Sequence, residues 1–408
     1  MTVTVVAIFA IVYVGMILGG LPFVQLDRTG IALLGAIAIV GLEILTPEEA
    51  ARSIHLPTLL LLFSFMVISA QMRLGGFYAW VTQRIAALPI APPALLAAVI
   101  AVTAVLSAVF SNDVICLAVA PVLIDGCRRR GLDPVPYLLG LACAANVGSA
   151  ATVIGNPQNM LIGQVLELRF AEYLAAAAVP VLLGLAATWL LLAWQSRSGW
   201  QAASPLPAAA ERRSDEPALD TWQTAKGLAV VAALLAIFVA TDWPREVAAL
   251  TAAGLLLMSR KFHSTKMLGL VDWELLILFI GLFVVNHALE RTGLTKQAFE
   301  NLAALGLSMR EPAALFGTTF VLSNLVSNVP AVMLLLPAAV EPFSGLMLAL
   351  VSTLAGNLLI VGSIANMIVV SAAARQGIRI DWRRHARAGV PVTVATLAIV
   401  AGWFVARF

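Results

Sequence analysis

Phe110-Ser-Asn-Asp-Val-Ile-Cys-Leu-Ala-Val-Ala-Pro121 and Val326-Ser-Asn-Val-Pro-Ala-Val-Met-Leu-Leu-Leu-Pro337 align without a gap. In each, Ser-Asn is followed by Pro at the same spacing, and each lies in the middle of an apolar stretch, 93–126 and 311–341. Downstream of each comes a second matching run, Gly155-Asn-Pro-Gln-Asn-Met160 and Gly362-Ser-Ile-Ala-Asn-Met367. Polar, helix-breaking runs at corresponding places in two apolar halves point to a binding site between internal repeats of a membrane carrier.

The rest of the chain fits a membrane. Hydrophobic residues make up 61% of it, charged residues 12%, and the mean hydropathy is +0.95, whereas soluble domains carry about 25% charged residues. Apolar runs near 3–20, 30–46, 56–72, 134–166 (interrupted), 172–194, 223–241, 246–259, 271–289, 347–370 (interrupted) and 389–406 have the length a bilayer requires of a helix. No Lys or Arg precedes the first run, which reads as a retained span and not as a cleaved signal. Cys116, Cys127 and Cys143 form no CxxC or Cys/His cluster and read as small buried residues, with no metal site expected. A net charge of +3 gives no support to nucleic acid binding. Neither HExxH nor GxSxG occurs, so no enzyme is expected.

These runs give an all-α integral membrane fold of about ten spans plus two hairpins. Residues 1–195 form the first repeat, with a hairpin at 93–126 and a broken helix at 134–166. Residues 196–221, rich in Pro, Ala, Ser and charge, form a cytoplasmic linker. Residues 222–408 form the second repeat, with a hairpin at 311–341 and a broken helix at 347–370. If each Ser-Asn stretch is re-entrant, each half has five true spans, and an odd number inverts the second half. With the N-terminus and C-terminus outside, roughly 18 of the Lys and Arg residues fall in cytoplasmic loops, Arg128, Arg129 and Arg130 among them. Counting the hairpins as full spans, for twelve in all, blurs that bias.

Non-helical backbone at bilayer depth must face protein or a wet cavity, because unsatisfied amides are costly in lipid. Ser111 and Asn112, and Ser327 and Asn328, are therefore expected at a site. Their oxygens would cap the following helix arms, and those left over would bind substrate or Na⁺. Gly155-Asn156-Pro157 and Gly362-Ser363 should unwind their helices. Four helix N-termini would then face the midplane, each carrying roughly +0.5 charge, which favours an anion or polar oxyacid. The amides Asn146, Asn156, Gln158, Asn159, Asn357 and Asn366 suit a substrate shell, and equally suit interhelical hydrogen bonding.

Asp113 is the only carboxylate in the paired hairpin motifs, and its counterpart is Val329. Burial disfavours its charged form while a helix N-terminus favours it, a competition suited to reversible protonation or Na⁺ binding. Substrate contacts are accordingly expected from Ser111, Asn112, Asn156, Gln158, Asn159, Ser327, Asn328, Ser363 and Asn366. The coupling ion is expected at Asp113, Asn112, Asn328, Asn357 and Asn146, with Na⁺, if bound, at Asn112, Asp113 and Asn156. No other cofactor is expected. His287 and Glu290, at a span end and followed by Arg291 and Thr292, read as a snorkelling ion cluster more than as a proton relay.

By these residues the chain resembles the ion transporter superfamily of divalent anion/sodium symporters, citrate transporters and arsenite permeases. The Ser-Asn tips look like the Ser-Asn-Thr signatures of the symporters, with Asp113 and Val329 in place of Thr. The runs at 155–159 and 362–366 look like that group's broken helices, with Ile364-Ala365 in place of Pro-Pro. Asn112-Asp113 and Asn328-Val-Pro330 look more like the arsenite permeases, which are similar to proton antiporters. The resemblance implies a scaffold, a mobile domain carrying both hairpins, elevator-type movement and a homodimer in an inner membrane. The expected function is cation-coupled transport of a small anion or oxyacid. An arsenite/H⁺ antiporter is the close alternative and a Na⁺/H⁺ antiporter the third.

Overall fold

Proline and short polar side chains set where about half of the helices of this protein begin. The structure, a computed structural model, describes residues 1–20, 25–197, 199–200 and 217–407. Among these, twenty α-helices and no strands form. The first half contains α1 (Thr2–Leu18), α2 (Arg28–Gly41), α3 (Pro47–Ser53), α4 (Leu56–Leu74) and α5 (Phe77–Ala86). It continues with α6 (Pro92–Val109), α7 (Asn112–Arg129), α8 (Pro134–Ser149), α9 (Pro157–Val165) and α10 (Phe170–Ser196). The second half contains α11 (Thr221–Ala240), α12 (Arg245–Leu257), α13 (Ser264–Leu268), α14 (Trp273–Arg291) and α15 (Leu294–Ala304). It closes with α16 (Pro312–Val326), α17 (Asn328–Leu335), α18 (Ser344–Ala355), α19 (Ile364–Arg375) and α20 (Trp382–Arg407). The central part of the expected linker, 201–216, lies outside the described residues.

Prolines open α3, α8 and α9, where the missing N–H costs nothing. Thr46 and Glu49 form a reciprocal capping box on α3, and Asp27, Asp133, Asp220 and Asp272 cap α2, α8, α11 and α14. Among the described residues six helices, α4, α6, α10, α11, α14 and α20, are long and apolar enough to cross a membrane. Helices α1, α2, α16 and the pieces around the breaks are shorter and apolar. The structure departs from expectation in two respects. Helix α20 starts at Trp382, ahead of the apolar run, because hydropathy marks lipid contact and not helix: Arg383, Arg384 and Arg387 extend it into the polar zone. Helices α3, α5, α13 and α15 escaped the apolar reading because they are short or amphipathic.

The order of long and short elements in one half is repeated in the other. Both α4 and α14 have 19 residues, and α10 and α20 have 27 and 26. At one constant offset Arg28 matches Arg245 at the start of α2 and α12. At the same offset His55 matches Asp272 as cap of α4 and α14, and Gly76 matches Gly293, both at φ near 75°. Packing is exchanged between the halves: α2 lies on α14, its counterpart α12 lies on α4, and α10 pairs with α20. Small residues permit both exchanges. A Cβ on Gly281 would stand 2.7 Å from the Ala32 backbone, and the matching seam carries Ala249, Ala252, Ala253 and Ser64, all buried.

Hydrogen bonds mark the two ends of the bundle. At the linker end Arg130 donates to the carbonyls of Ala86, Leu88 and Ile90, so the end of α7 is tied to the start of α6. Arg384 meets Asp133, Gln195 donates to the Arg387 carbonyl, and Lys261 pairs with Asp220. Thr29 reaches the Glu274 carbonyl, joining the starts of α2 and α14. At the far end Arg245 holds Gly163 and Leu168, Arg169 pairs with Asp242, and Arg291 pairs with Glu49. Within the expected ion cluster near the end of α14, Arg291 makes the ion pair, while His287 and Glu290 make none among the described residues.

Candidate functional site

Four helix starts meet around a cavity of about 30 Å³. Asn112 and Asp113 open α7, Pro157 and Gln158 open α9, Asn328 and Val329 open α17, and Ile364 opens α19. Ser327 and Ser363, the residues before α17 and α19, complete the polar wall, and Leu275 of α14 closes it. The space holds one or two waters and nothing larger, so the site is collapsed in this state. Each helix start contributes roughly half a positive charge, and among the lining residues Asp113 is the one ionisable side chain.

The breaks that place these starts occur where the sequence suggests. Helix α8 ends at Ser149 and α9 starts at Pro157, while α18 ends at Ala355 and α19 starts at Ile364. Asn156 caps α9 by accepting from the Asn159 N–H at 2.9 Å. The serines do not cap as expected: neither Ser111 nor Ser327 makes a side-chain cap bond. At the first tip the Asn112 N–H instead donates to the Gly155 carbonyl at 3.2 Å. At the second tip Ser327 has φ 76° and ψ 163°, a region that side chains rarely adopt.

Two buried hubs lie behind the cavity. Asn146 uses its full hydrogen-bonding capacity. Its Oδ1 accepts from Asn112 Nδ2 at 3.2 Å and Ser363 Oγ at 2.9 Å, and its Nδ2 donates to Asn357 Oδ1 at 2.8 Å and Asn366 Oδ1 at 3.3 Å. Thr353, which matches Asn146 in the repeat, is the second hub. Its hydroxyl accepts from Asn156 at 3.2 Å and Gln158 at 3.1 Å and donates to Asn159 at 3.2 Å. Each hub therefore serves the broken helix of the other half. Tyr173 and His385, each the fourth residue of its helix, brace matching carbonyls: the Tyr173 hydroxyl donates to Ala150, and His385 Nε2 donates to Asn357.

The residues singled out from sequence thus divide. Asn112, Asp113, Gln158, Ser327, Asn328 and Ser363 line the cavity. Asn146, Asn156, Asn159, Asn357 and Asn366 stand behind it in the hubs, and Ser111 faces neither. Of the three residues expected around Na⁺, Asn112 and Asp113 share the cavity, while both polar ends of the Asn156 side chain are engaged elsewhere. Sequence reasoning missed Thr353, Ser149, Tyr173, His385 and Leu275. The repeat offset that pairs Gly155 with Gly362 also pairs Asn146 with Thr353, a signal that was present. Two acceptors of the lining, Asn112 Oδ1 and Asn328 Oδ1, are buried without a hydrogen-bond partner.

The citrate transporter family model matches residues 11–347, most of the chain. The chain belongs to the citrate transporter family. This citrate transporter family member is 28% identical to a silicon efflux transporter of rice, Oryza sativa subsp. japonica, covering 96% of this chain and 95% of that one. It is 22% identical to a putative transporter named arsB in Dictyostelium discoideum, over 92% of this chain and 86% of the other. Its fold is similar to the crystal structure of the YdaH transporter of Alcanivorax borkumensis, with a TM-score of 0.55 at 15% identity, covering 99% and 97% of the two chains. All lie within the ion transporter superfamily, and this family member is a multi-pass membrane transporter.

Proposed function

We propose that the chain is a secondary active carrier that moves a small hydroxyl-bearing oxyacid or anion, coupled to H⁺ or Na⁺ through Asp113. The convergence of four helix starts and one carboxylate on a single cavity carries this reading. Asn112 Oδ1 and Asn328 Oδ1 are acceptors in want of donors, an orphaned buried acceptor costs about 1–3 kcal/mol, and the Asp113 carboxyl lies in the same lining. A protonated oxyacid supplies those donors. A polyvalent anion would meet no Lys, Arg or His in the lining, only partial helix charge. Efflux of an oxyacid against entering protons is the second reading; the name of the rice relative favours it.

Inverted halves supply the frame. Traced between the two ends defined by hydrogen bonds, α1, α4 and α10 run toward the linker end and α2 away from it. The pair α6–α7 starts and finishes at the linker end, and α8–α9 leaves it. In the second half α11, α14 and α20 run the other way, and α12 returns. The first hairpin then opens to the linker side, which the basic loops mark as cytoplasmic. Helices α6–α10 and α16–α20 form the body that moves, and α1–α4 with α11–α14 form the scaffold.

Reconstituted protein with a pH or Na⁺ gradient tests the reading. Asp113→Asn is expected to lose gradient-driven transport at least tenfold while retaining substrate-protected binding and exchange. Unchanged gradient-driven flux in Asp113→Asn would overturn the coupling role and favour a passive pore.

A further inference from the structure

Arg245 and Arg28 occupy the same place in the two repeats, the first residue of α12 and of α2, yet they are engaged differently. The Arg245 guanidinium donates to the Leu168 carbonyl at 2.8 Å and the Gly163 carbonyl at 2.5 Å. Those carbonyls belong to the last turn of α9 and the loop leading to α10. A cation there meets the negative end of a helix, adding to the Leu168 N–H that the Gly163 carbonyl already accepts at 3.1 Å. Arg28 has no hydrogen bond or ion pair among the described residues, and its Nε is buried without a partner. Its matching target is the last turn of α19, at whose end Arg128 of α7, part of the same moving body, donates to the Gln376 carbonyl at 2.7 Å and to Gln376 Oε1 at 2.8 Å.

The packing around the two arginines is unequal in the same sense. At the far end α4 lies along α9, which brings Arg245 into reach, and α16 and α17 pack on α1 and α14. At the linker end α14 has no comparable packing on α19, and α7 leans on α5 instead. The far-end half of the moving body is therefore seated on the scaffold, and its linker-end half is not. A cleft of about 620 Å³ beside Arg245, between 164–172 and 238–246, leaves room for this contact to part.

We infer that Arg245 and Arg28 are alternating latches on the moving body: Arg245 holds it in the state seen here, and Arg28 takes the end of α19 in the opposite state. This rests on the carrier reading above. Each latch is a charge-assisted contact to backbone carbonyls, strong enough to bias an equilibrium yet broken without unfolding any helix. Because the two act on opposite states, their loss should shift the equilibrium in opposite directions.

The test uses full-length protein in proteoliposomes with Cys116, Cys127 and Cys143 replaced by Ala. Two engineered cysteine pairs report the two states, one on facing turns of α4 and α9, the other on matching turns of α14 and α19. Arg245→Gln is expected to raise the α14–α19 to α4–α9 cross-linking ratio about tenfold. Arg28→Gln should lower it, the double variant should restore it toward the starting value, and Arg245→Lys should fall between. Thermal unfolding of each variant separates a shifted equilibrium from misfolding, and Arg28→Gln, which breaks no side-chain hydrogen bond or ion pair here, should unfold as the parent does. A ratio unchanged in both single variants, or shifted the same way by both, overturns the latches while leaving the carrier intact. If the parent never cross-links α14 to α19 under any gradient, the alternation itself fails and the latches with it.

Discussion

Ser327 shows how a single residue records a site. Its backbone lies where a Cβ is strained, at a cost of about 1–3 kcal/mol, and its surroundings must hold it there. Ser327→Gly is expected to unfold at higher temperature than the parent, because the strain is removed. It is nevertheless expected to lose most transport, because the hydroxyl leaves the cavity wall. Ser327→Ala, still strained, should lose transport without the gain in stability. Parental transport in the Gly variant would show that the hydroxyl does nothing. Sequence identified Ser327 through its pairing with Ser111, but not that the two differ. The first tip is pinned by the Asn112 N–H to Gly155 and is unstrained, and that is settled by a contact between segments that no local pattern encodes. Thr353 was missed for a related reason. An isolated Thr in an apolar helix has no signature, and only its role as the counterpart of Asn146 gives it meaning.

Among the elements, the breaks were the most legible part of the chain and the short helices the least. Gly155-Asn156-Pro157 contains its own instructions, a flexible residue, a cap and a first-turn proline, so α9 starts where expected. Helices α5 and α15 are amphipathic caps at the bundle ends, and a reading tuned to apolar length passes over them. Close helix approach was also invisible until the fold was known. Gly281 touches the Ala32 backbone, and backbone cannot move aside as a flexible side chain can. Gly281→Ala is expected to lower stability by about 1–3 kcal/mol through the α2–α14 seam. Gly254→Ala, where a Cβ meets nothing within 4 Å, should raise stability by about 0.5–1 kcal/mol. Thermal unfolding in detergent checks both; equal effects would show that the seam is loose enough to absorb a methyl group.

Across the whole molecule, exchange between the halves is the governing feature. Helix α2 rests on α14 and α12 on α4, and each hub asparagine or threonine serves the broken helix of the other half. Neither half can complete its side of the cavity alone. Membrane class and the residues at the helix breaks were readable from composition and self-similarity, because bilayer length and backbone satisfaction leave few alternatives. The division of the polar residues into lining and hub was not, since both need buried amides of the same types. On the proposed carrier reading, asymmetry between the halves, Asp113 against Val329 and Arg245 engaged against Arg28 without a side-chain partner among the described residues, sets apart the two states of one pathway.

Val329 lines the cavity opposite Asp113 and is the position from which to watch that pathway. With the native cysteines replaced, Val329→Cys in oriented proteoliposomes should react with impermeant thiol reagents from either side, the favoured side switching when the cation gradient is reversed, and substrate should protect it. Reaction from one side alone under every gradient would contradict a cavity shared by two oppositely oriented halves.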